Sequence, residues 1–334
     1  MNTHFFFYGK DNTMENIQTI APEVFSQPVI FMAGPTAIGK TDLALTIADT
    51  FGCEIIGVDS MQIYRYMDIG TAKPSSTERG RVPHHLIDYV LPDEDYSVSR
   101  FIDDCRRAIG QIHGRGRLPL LVGGTGLYFT GLERGIFSMP TIDPGLRQGL
   151  QRELLSRGRE VLYGELRTVD PSSAARIHPN DTYRLLRALE ILRATGKPWS
   201  EYLAEHQESR RLCTTPNLLK IGLHRERDEL YPRIDRRVAT MVEEGLLPEV
   251  EELLRRGYSK ALPPMQSLGY RHMVNFLDGQ WSWGRAVELL GRDTRRYAKR
   301  QMTWFHADPS ITWYHPKQVA EICSAIRDFL VTAA

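Results

Sequence analysis

Pro28-Val-Ile-Phe-Met-Ala33 runs directly into Gly34-Pro35-Thr36-Ala37-Ile38-Gly39-Lys40-Thr41, setting an apolar strand candidate against a complete G-x-x-x-x-G-K-T phosphate loop. Beyond it Leu43, Ala44, Ile47, Ala48 and Phe51 repeat with the spacing of a helix that buries one face. A second apolar run, Cys53-Glu-Ile-Ile-Gly-Val58, completes a strand, loop, helix, strand unit. In that setting the glycines let successive backbone N–H groups turn towards a phosphate. Lys40 adds a positive charge, and the Thr41 hydroxyl stands at a helix N-terminus where it can hold Mg²⁺. The expected ligand is a di- or triphosphate gripped by residues 34 to 41.

Outward from this unit, the alternation of short apolar runs and amphipathic stretches continues to about residue 140, the pattern of βα units on a parallel sheet. Further strand candidates are Leu118 to Val122, Asn217 to Leu223 and Ile311 to Tyr314. Residues 141 to 214 are rich in Arg, Leu and Glu and lack strand runs, with helical patterns at 146–157, 160–168 and 181–194. Helices follow near 227–244, 247–256, 267–277 and 283–306. The expected architecture is α/β: a P-loop parallel-sheet core over 27–140 and 215–334, an inserted all-helical domain over 141–214, and a helical C-terminal region. Residues 1–26 carry no committed period and read as a loose extension, inside which Met14 offers a later start.

The 334 residues, 42% hydrophobic and 25% charged, exclude collagen and bulk disorder, and no apolar run is long enough to span a bilayer. Four scattered cysteines, without a Cys-x-x-Cys pair, argue against a disulfide scaffold and for a reducing, cytoplasmic setting. A net charge of +1 leaves local clusters to decide whether a polyanion binds.

One expected feature of phosphate-hydrolysing enzymes is missing. Their apolar strand ends in a carboxylate that holds magnesium, whereas the run to Val122 ends in Gly123-Gly124-Thr125-Gly126. The acid follows the second strand instead, at Asp59 in Val58-Asp59-Ser60-Met61-Gln62, on the carboxyl edge where open α/β sheets bind ligands. A diphosphate site beside a lone Asp and a Thr suits group transfer better than phosphate hydrolysis.

Taken together, GPTAIGKT, VDSMQIYRYMDIGTAKP, PHHLID, LVGGTGLYF, ARIHPNDTYRLLRALE, LGYRHM and KRQMTWF, in order from residue 29 to about 306, resemble the tRNA dimethylallyltransferases, also called tRNA isopentenyltransferases. The resemblance implies transfer of a dimethylallyl group from its diphosphate to the exocyclic amine of the adenosine 3′ of the anticodon, with Mg²⁺ required. The phosphate loop then grips a prenyl diphosphate; it carries the ATP-binding signature without needing ATP.

That reaction needs a base for the amine proton, fixed cations for the leaving diphosphate, and a hold on a flipped adenine. Asp59 is the expected base, with a helix N-cap or a magnesium-binding acid without base function as its alternatives. Thr125 is expected to orient the amine or the bridging oxygen. Lys40 and Arg225, at the end of a strand, meet the diphosphate, and Thr41 meets Mg²⁺. By the family's pattern the anticodon stem-loop is contacted by Asp59, Ser60, Met61, Gln62, Thr125, Arg147, Tyr183, Arg184, Leu185, Leu186, Arg187, Gln266, Ser267, Leu268, Gly269, Tyr270 and Arg271.

A basic stretch, Arg292 to Arg300, places positions 292, 295, 296 and 299 on one helical face for phosphate contact, with Tyr297 and Trp304 near for stacking. His84-His85 lacks a third clustered ligand for a metal site. Beyond residue 306 there is no Cys/His constellation like the zinc finger of some eukaryotic relatives, which favours the bacterial type. A monomer without membrane contact is expected. The alternatives are an adenylate isopentenyltransferase acting on free AMP, ADP or ATP, a small-molecule P-loop kinase, and a nucleotide-gated RNA-binding protein without catalysis.

Overall fold

The computed structural model describes residues 22–136, 142–210 and 215–333. These fall into two compact units, one formed by Pro22–Glu133 with Thr215–Ala334 and the other within Arg134–Thr214. Of the segment 1–26 expected to be loose, residues 1–21 lie outside the described residues, but Pro22–Phe25 form a 3₁₀ turn. Phe25 is buried with its ring 6.1 Å from that of Phe31, a tertiary contact that a four-residue turn cannot announce by periodicity.

The first unit opens with β1 (Val29–Ala33), α1 (Lys40–Phe51) and β2 (Cys53–Val58). It continues through α2 (Ser76–Arg81), β3 (His84–His85), α3 (Val98–Gly114), β4 (Leu118–Gly123) and α4 (Gly126–Arg134). The six strands of the unit form one parallel sheet in the order β3-β2-β4-β1-β5-β6, so the chain leaving β1 crosses over β4 before returning as β2. Ile30 stands opposite Leu120 on one side and Leu219 on the other. Every residue of β1 and β2 is buried, which is why both read as continuous apolar runs rather than alternating ones.

The helical unit contains α5 (Pro144–Arg157), α6 (Arg159–Val169), α7 (Pro171–Arg176), α8 (Thr182–Thr195) and α9 (Trp199–Arg210). Leu150, Leu162, Leu166, Leu185 and Leu189 form its small core. Asp170 joins two of its helices by accepting from Ser173 N–H and Ser200 N–H, both at 3.0 Å.

The chain then re-enters the sheet as β5 (Leu218–Leu223), followed by α10 (Arg227–Glu243), α11 (Leu246–Arg255), α12 (Tyr270–Leu277) and α13 (Trp283–His306). β6 (Thr312–Tyr314) forms the far edge and α14 (Val319–Thr332) covers β5 and part of the α1 side. The helix expected from 267 begins at Tyr270, because Pro264–Gln266 make a separate 3₁₀ turn and Gly269 has φ 93°. The His84-His85 pair, considered as metal ligands, is edge strand β3: His84 Nδ1 lies 2.7 Å from Val82 O and His85 Nε2 lies 2.7 Å from the Glu54 carboxylate.

Candidate active site

The loop from Gly34 to Gly39 leaves the carboxyl end of β1 and enters α1. Gly39 sits at φ 104° and Ala37 at φ 62°, the second a left-handed conformation that a non-glycine residue holds only at a local cost. Gly34 is closely packed, since a Cβ there would lie 3.1 Å from Leu223 O and the neighbour would have to give by a few tenths of an ångström. Lys40 Nζ donates to Gly34 O and Pro35 O, both at 2.8 Å. Burial first, then the Arg237 guanidinium, push the Lys40 ammonium down to about 7, with Asp59 opposing them. Thr41 is exposed in the first turn of α1 and Ile38 is wholly buried, so the isoleucine's contribution to the loop is through its backbone.

Asp59 stands immediately after β2. Its Oδ1 accepts from Met61 N–H at 2.8 Å and from Gln62 N–H at 3.3 Å. No helix follows Asp59, so it is not a helix N-cap; its carboxylate instead caps the turn over 60–63, which fixes it rather than competing with chemistry. Thr125 comes from the neighbouring strand end: its Oγ1 accepts from Ser60 N–H at 3.1 Å and its own N–H donates to Val58 O at 3.2 Å. Asp59 and Thr125 are thus brought together although 66 positions apart in sequence. Gly123 permits this approach, because a Cβ there would stand 1.9 Å from Val58 O.

Gln301 of α13 ties the two glycine-rich turns together. Its Oε1 accepts from Thr36 N–H and its Nε2 donates to Gly124 O, each at 2.9 Å. Nothing local marks Gln301 for this; the sequence showed it only inside the KRQMTWF block.

Three arginines complete the charge around the loop. Arg225 follows β5, donates from Nε to Ile38 O at 3.1 Å, pairs with Glu229 and lies 3.2 Å from His315 Nε2. Arg233 donates from Nε to Ala37 O at 2.9 Å. Arg237, one helical turn further along α10, reaches Thr71 O at 3.4 Å, and its buried Nε has no hydrogen-bond partner among the described residues. Burial lowers the Arg237 guanidinium from its ordinary value, and the charge of Asp59 opposes that. Sequence reasoning missed Arg233 and Arg237; their i, i+4 spacing on one helix face was the available signal.

The remaining residues expected to meet RNA divide between the units. In the sheet unit Ser60 is buried, Met61 and Gln62 are half-buried and Gln266 is exposed. Ser267 and Leu268 are half-buried, while the Tyr270 side chain is fully buried and donates to Glu249 at 2.7 Å. Arg271 pairs with Asp293 at 2.8 Å, and Arg292 joins the same carboxylate at 2.9 Å. Arg295 pairs with Asp235, so the basic face expected on α13 is partly neutralised by carboxylates.

In the helical unit Arg147 makes a bidentate pair with Glu190 at 2.8 and 2.7 Å, and Arg187 joins Glu190 at 2.6 Å. Arg184 pairs with Asp181 at 2.8 Å and is well exposed. Tyr183 and Leu186 are half-buried, but Leu185 has no exposed surface, so its side chain belongs to the core and is unavailable to RNA.

The comparisons with known proteins bear on this geometry. A family model described as IPP transferase matches residues 62–308, and one described as isopentenyl transferase matches residues 27–85. The tRNA dimethylallyltransferase of Desulfotalea psychrophila is 49% identical over 308 residues, covering 92% of this chain and 97% of that protein. That of Syntrophobacter fumaroxidans is 50% identical over 287 residues, with 86% and 83% covered. The crystal structure of the tRNA isopentenylpyrophosphate transferase of Bacillus halodurans, 41% identical, matches 92% of this chain and 98% of its own with a TM-score of 0.68. A structure of a eukaryotic dimethylallyltransferase acting on tRNA, 30% identical, matches 92% and 80% with a TM-score of 0.75.

Proposed function

The chain belongs to the IPP transferase family of tRNA dimethylallyltransferases, and from that membership we propose how its own residues divide the reaction. The enzyme transfers the dimethylallyl group of dimethylallyl diphosphate to the exocyclic amino nitrogen of an adenosine in tRNA and releases diphosphate. The adenosine is the one 3′ of the anticodon, flipped from the anticodon stem-loop into the crevice at the carboxyl edge of the sheet.

The observation that carries this reading is the convergence of Lys40, Arg225, Arg233 and Arg237 on the phosphate loop, with Asp59 and Thr125 facing it from adjacent strand ends. As the amine nitrogen bonds to the allylic carbon, the carbon–oxygen bond to diphosphate breaks and the Asp59 carboxylate takes the amine proton. The cap from Met61 and Gln62 holds that carboxylate in one orientation. The Thr125 hydroxyl, already accepting from Ser60, has its own proton to donate to the reacting amine or the bridging oxygen.

Charge developing on the leaving diphosphate is met by the backbone N–H groups of the loop and by the four cations. The exposed Thr41 hydroxyl, a hard oxygen donor at the loop's end, fits a Mg²⁺ ion shared with diphosphate. When bound, that ion neutralises leaving-group charge.

Arg147, Tyr183, Arg184, Leu186 and Arg187 of the helical unit, with residues 266–271, hold the anticodon arm. For Leu185 that contact is limited to its backbone. The protein acts as a monomer in the cytoplasm, the setting that four scattered cysteines without a disulfide framework suit; no helix among the described residues is long and apolar enough to cross a membrane.

The test is transfer of radiolabelled dimethylallyl diphosphate, with Mg²⁺, to unmodified tRNA, to AMP and to no acceptor, beside an ATP-hydrolysis control. Label in tRNA alone is expected. Label in AMP, or ATP turnover without transfer, would overturn the reading.

A further inference from the structure

Glu249, on α11, makes an arrangement that the reaction as described does not use. Its Oε2 accepts from the backbone N–H groups of Asp68 and Ile69 at 2.8 and 2.7 Å. Its Oε1 accepts from Gly70 N–H at 3.0 Å and from the Tyr270 hydroxyl at 2.7 Å. Three consecutive N–H groups turned onto one carboxylate form the kind of concavity that elsewhere binds a free anion. Here a side chain from 180 residues away fills it.

The opposite edge of the same loop points its carbonyls at the catalytic crevice. Thr71 O and Ala72 O accept from Gln62 Nε2 at 3.2 and 3.1 Å, and Thr71 O also accepts from Arg237 at 3.4 Å. Both hydrogens of the Gln62 amide are thereby engaged, which identifies its Oε1 as the end that accepts. Gln62 itself follows Asp59 by three residues, and its backbone N–H donates to the Asp59 carboxylate.

The loop is held under constraint. Ala72 has φ 46°, and a Cβ at Gly70 would lie 2.6 Å from the Tyr270 ring, so the loop backbone packs directly on the first residue of α12. Lys73, almost fully buried, fastens its end to Tyr64 O at 2.7 Å and to the Asp68 carboxylate.

We propose that Glu249 is a positioning residue for the acceptor base: by fixing the N–H edge of loop 68–72 it fixes the carbonyl edge that orients the Gln62 amide. Gln62 Oε1 is then set to accept a hydrogen from the exocyclic amine of the adenine whose other proton goes to Asp59. The proposal rests on the tRNA reaction argued above. It adds a residue outside the crevice, and a link through Tyr270 to segment 266–271.

A double-mutant cycle in steady-state transfer to tRNA, at saturating dimethylallyl diphosphate and per folded enzyme, tests it. In Glu249→Gln one oxygen becomes an amide nitrogen, which places a donor against N–H groups whichever way the side chain turns. The expected loss in kcat/KM for tRNA is about tenfold in the wild-type background and under about twofold in Gln62→Ala, because the effect runs through Gln62.

Equal losses in both backgrounds would show a merely structural role, and no loss in either would show no role; both overturn the proposal. Should Glu249→Gln fail to fold, Tyr270→Phe keeps the carboxylate on the loop and removes one of its four partners. It should cost about threefold in the wild type and nothing beyond error in Gln62→Ala. Wild-type transfer is the internal control: its absence would overturn the assigned reaction, whereas its presence with additive losses would overturn only the part given to Glu249.

Discussion

Arg233 and Arg237, beside the phosphate loop, are held differently from the arginines of the helical unit. In the helical unit the candidate RNA contacts are balanced by carboxylates: Arg147 and Arg187 share Glu190, and Arg184 pairs with Asp181. In the sheet unit Arg233 and Arg237 donate to backbone carbonyls, and neither pairs with a carboxylate among the described residues. A carbonyl fixes a guanidinium without cancelling its charge. Arg233 and Arg237 therefore offer uncancelled positive charge to a small anion, unlike Arg225 beside them, which pairs with Glu229, while the helical arginines would exchange a carboxylate for each phosphate they met. The first arrangement favours strong fixed binding of diphosphate, and the second favours weak, salt-sensitive and geometrically selective contact with a long polyanion.

The sharpest break between the regions lies in the chemical step. Asp59→Asn keeps an oxygen for the cap from Met61 and Gln62 but cannot take a proton, so kcat should fall by about 10²–10⁴, the usual contribution of a general base. Filter binding of tRNA should change little; parallel losses in binding and turnover would remove the base assignment.

Arg233→Ala comes next. Loss of a charge-assisted contact at the loop should weaken inorganic pyrophosphate binding by about 10- to 100-fold, read by calorimetry. Affinity for tRNA should be unaltered.

Lys40 gives a pH signature. Burial, and then the Arg237 guanidinium, hold the Lys40 ammonium down to about 7 in the native protein, whereas the unfolded chain keeps the ordinary lysine value of about 10.5. Across that window the unfolded state holds more protons, so this group alone makes the fold more stable as pH rises. The same loss removes positive charge from the loop. Pyrophosphate affinity of the free enzyme should decline above pH 7, and the profile should flatten in Lys40→Met.

The smallest effect is expected at Arg184. Exposed and already paired, it should cost about two- to fivefold in tRNA affinity when changed to Ala, with the slope of log affinity against log salt reduced by about one. An unchanged slope, measured between low and physiological salt, would withdraw its phosphate contact.

These sites were not equally legible in the sequence. The phosphate loop and strands β1, β2, β4 and β5 were readable because fully buried parallel strands leave uninterrupted apolar runs, and because Gly39 answers a local need for positive φ. Asp59 could be found by asking where the missing strand-end acid had gone. Gln301, Glu249, Arg233 and Arg237 were not readable as site residues. Their partners are 166 to 265 positions away, and nothing in a helix's own pattern says which polar side chain folds back onto a distant loop.

Short elements were lost for a related reason. β3 has two residues and owes its existence to pairing with Ile55 and Ile56 of β2. The Arg292 to Arg300 stripe carries less free charge than its composition suggests, because composition counts charges but not the distances between them. Asp293 sits where Arg271, Arg292 and Arg296 all approach it, and Asp235 comes from another helix.

The most direct measurement of the division between the units is a two-substrate titration of Arg233→Ala and Arg184→Ala beside the wild type, yielding KM for dimethylallyl diphosphate and for tRNA in each. Arg233→Ala should raise the first with the second unchanged, and Arg184→Ala should do the reverse. If either variant moves both constants together, the separation of diphosphate grip from RNA grip is contradicted.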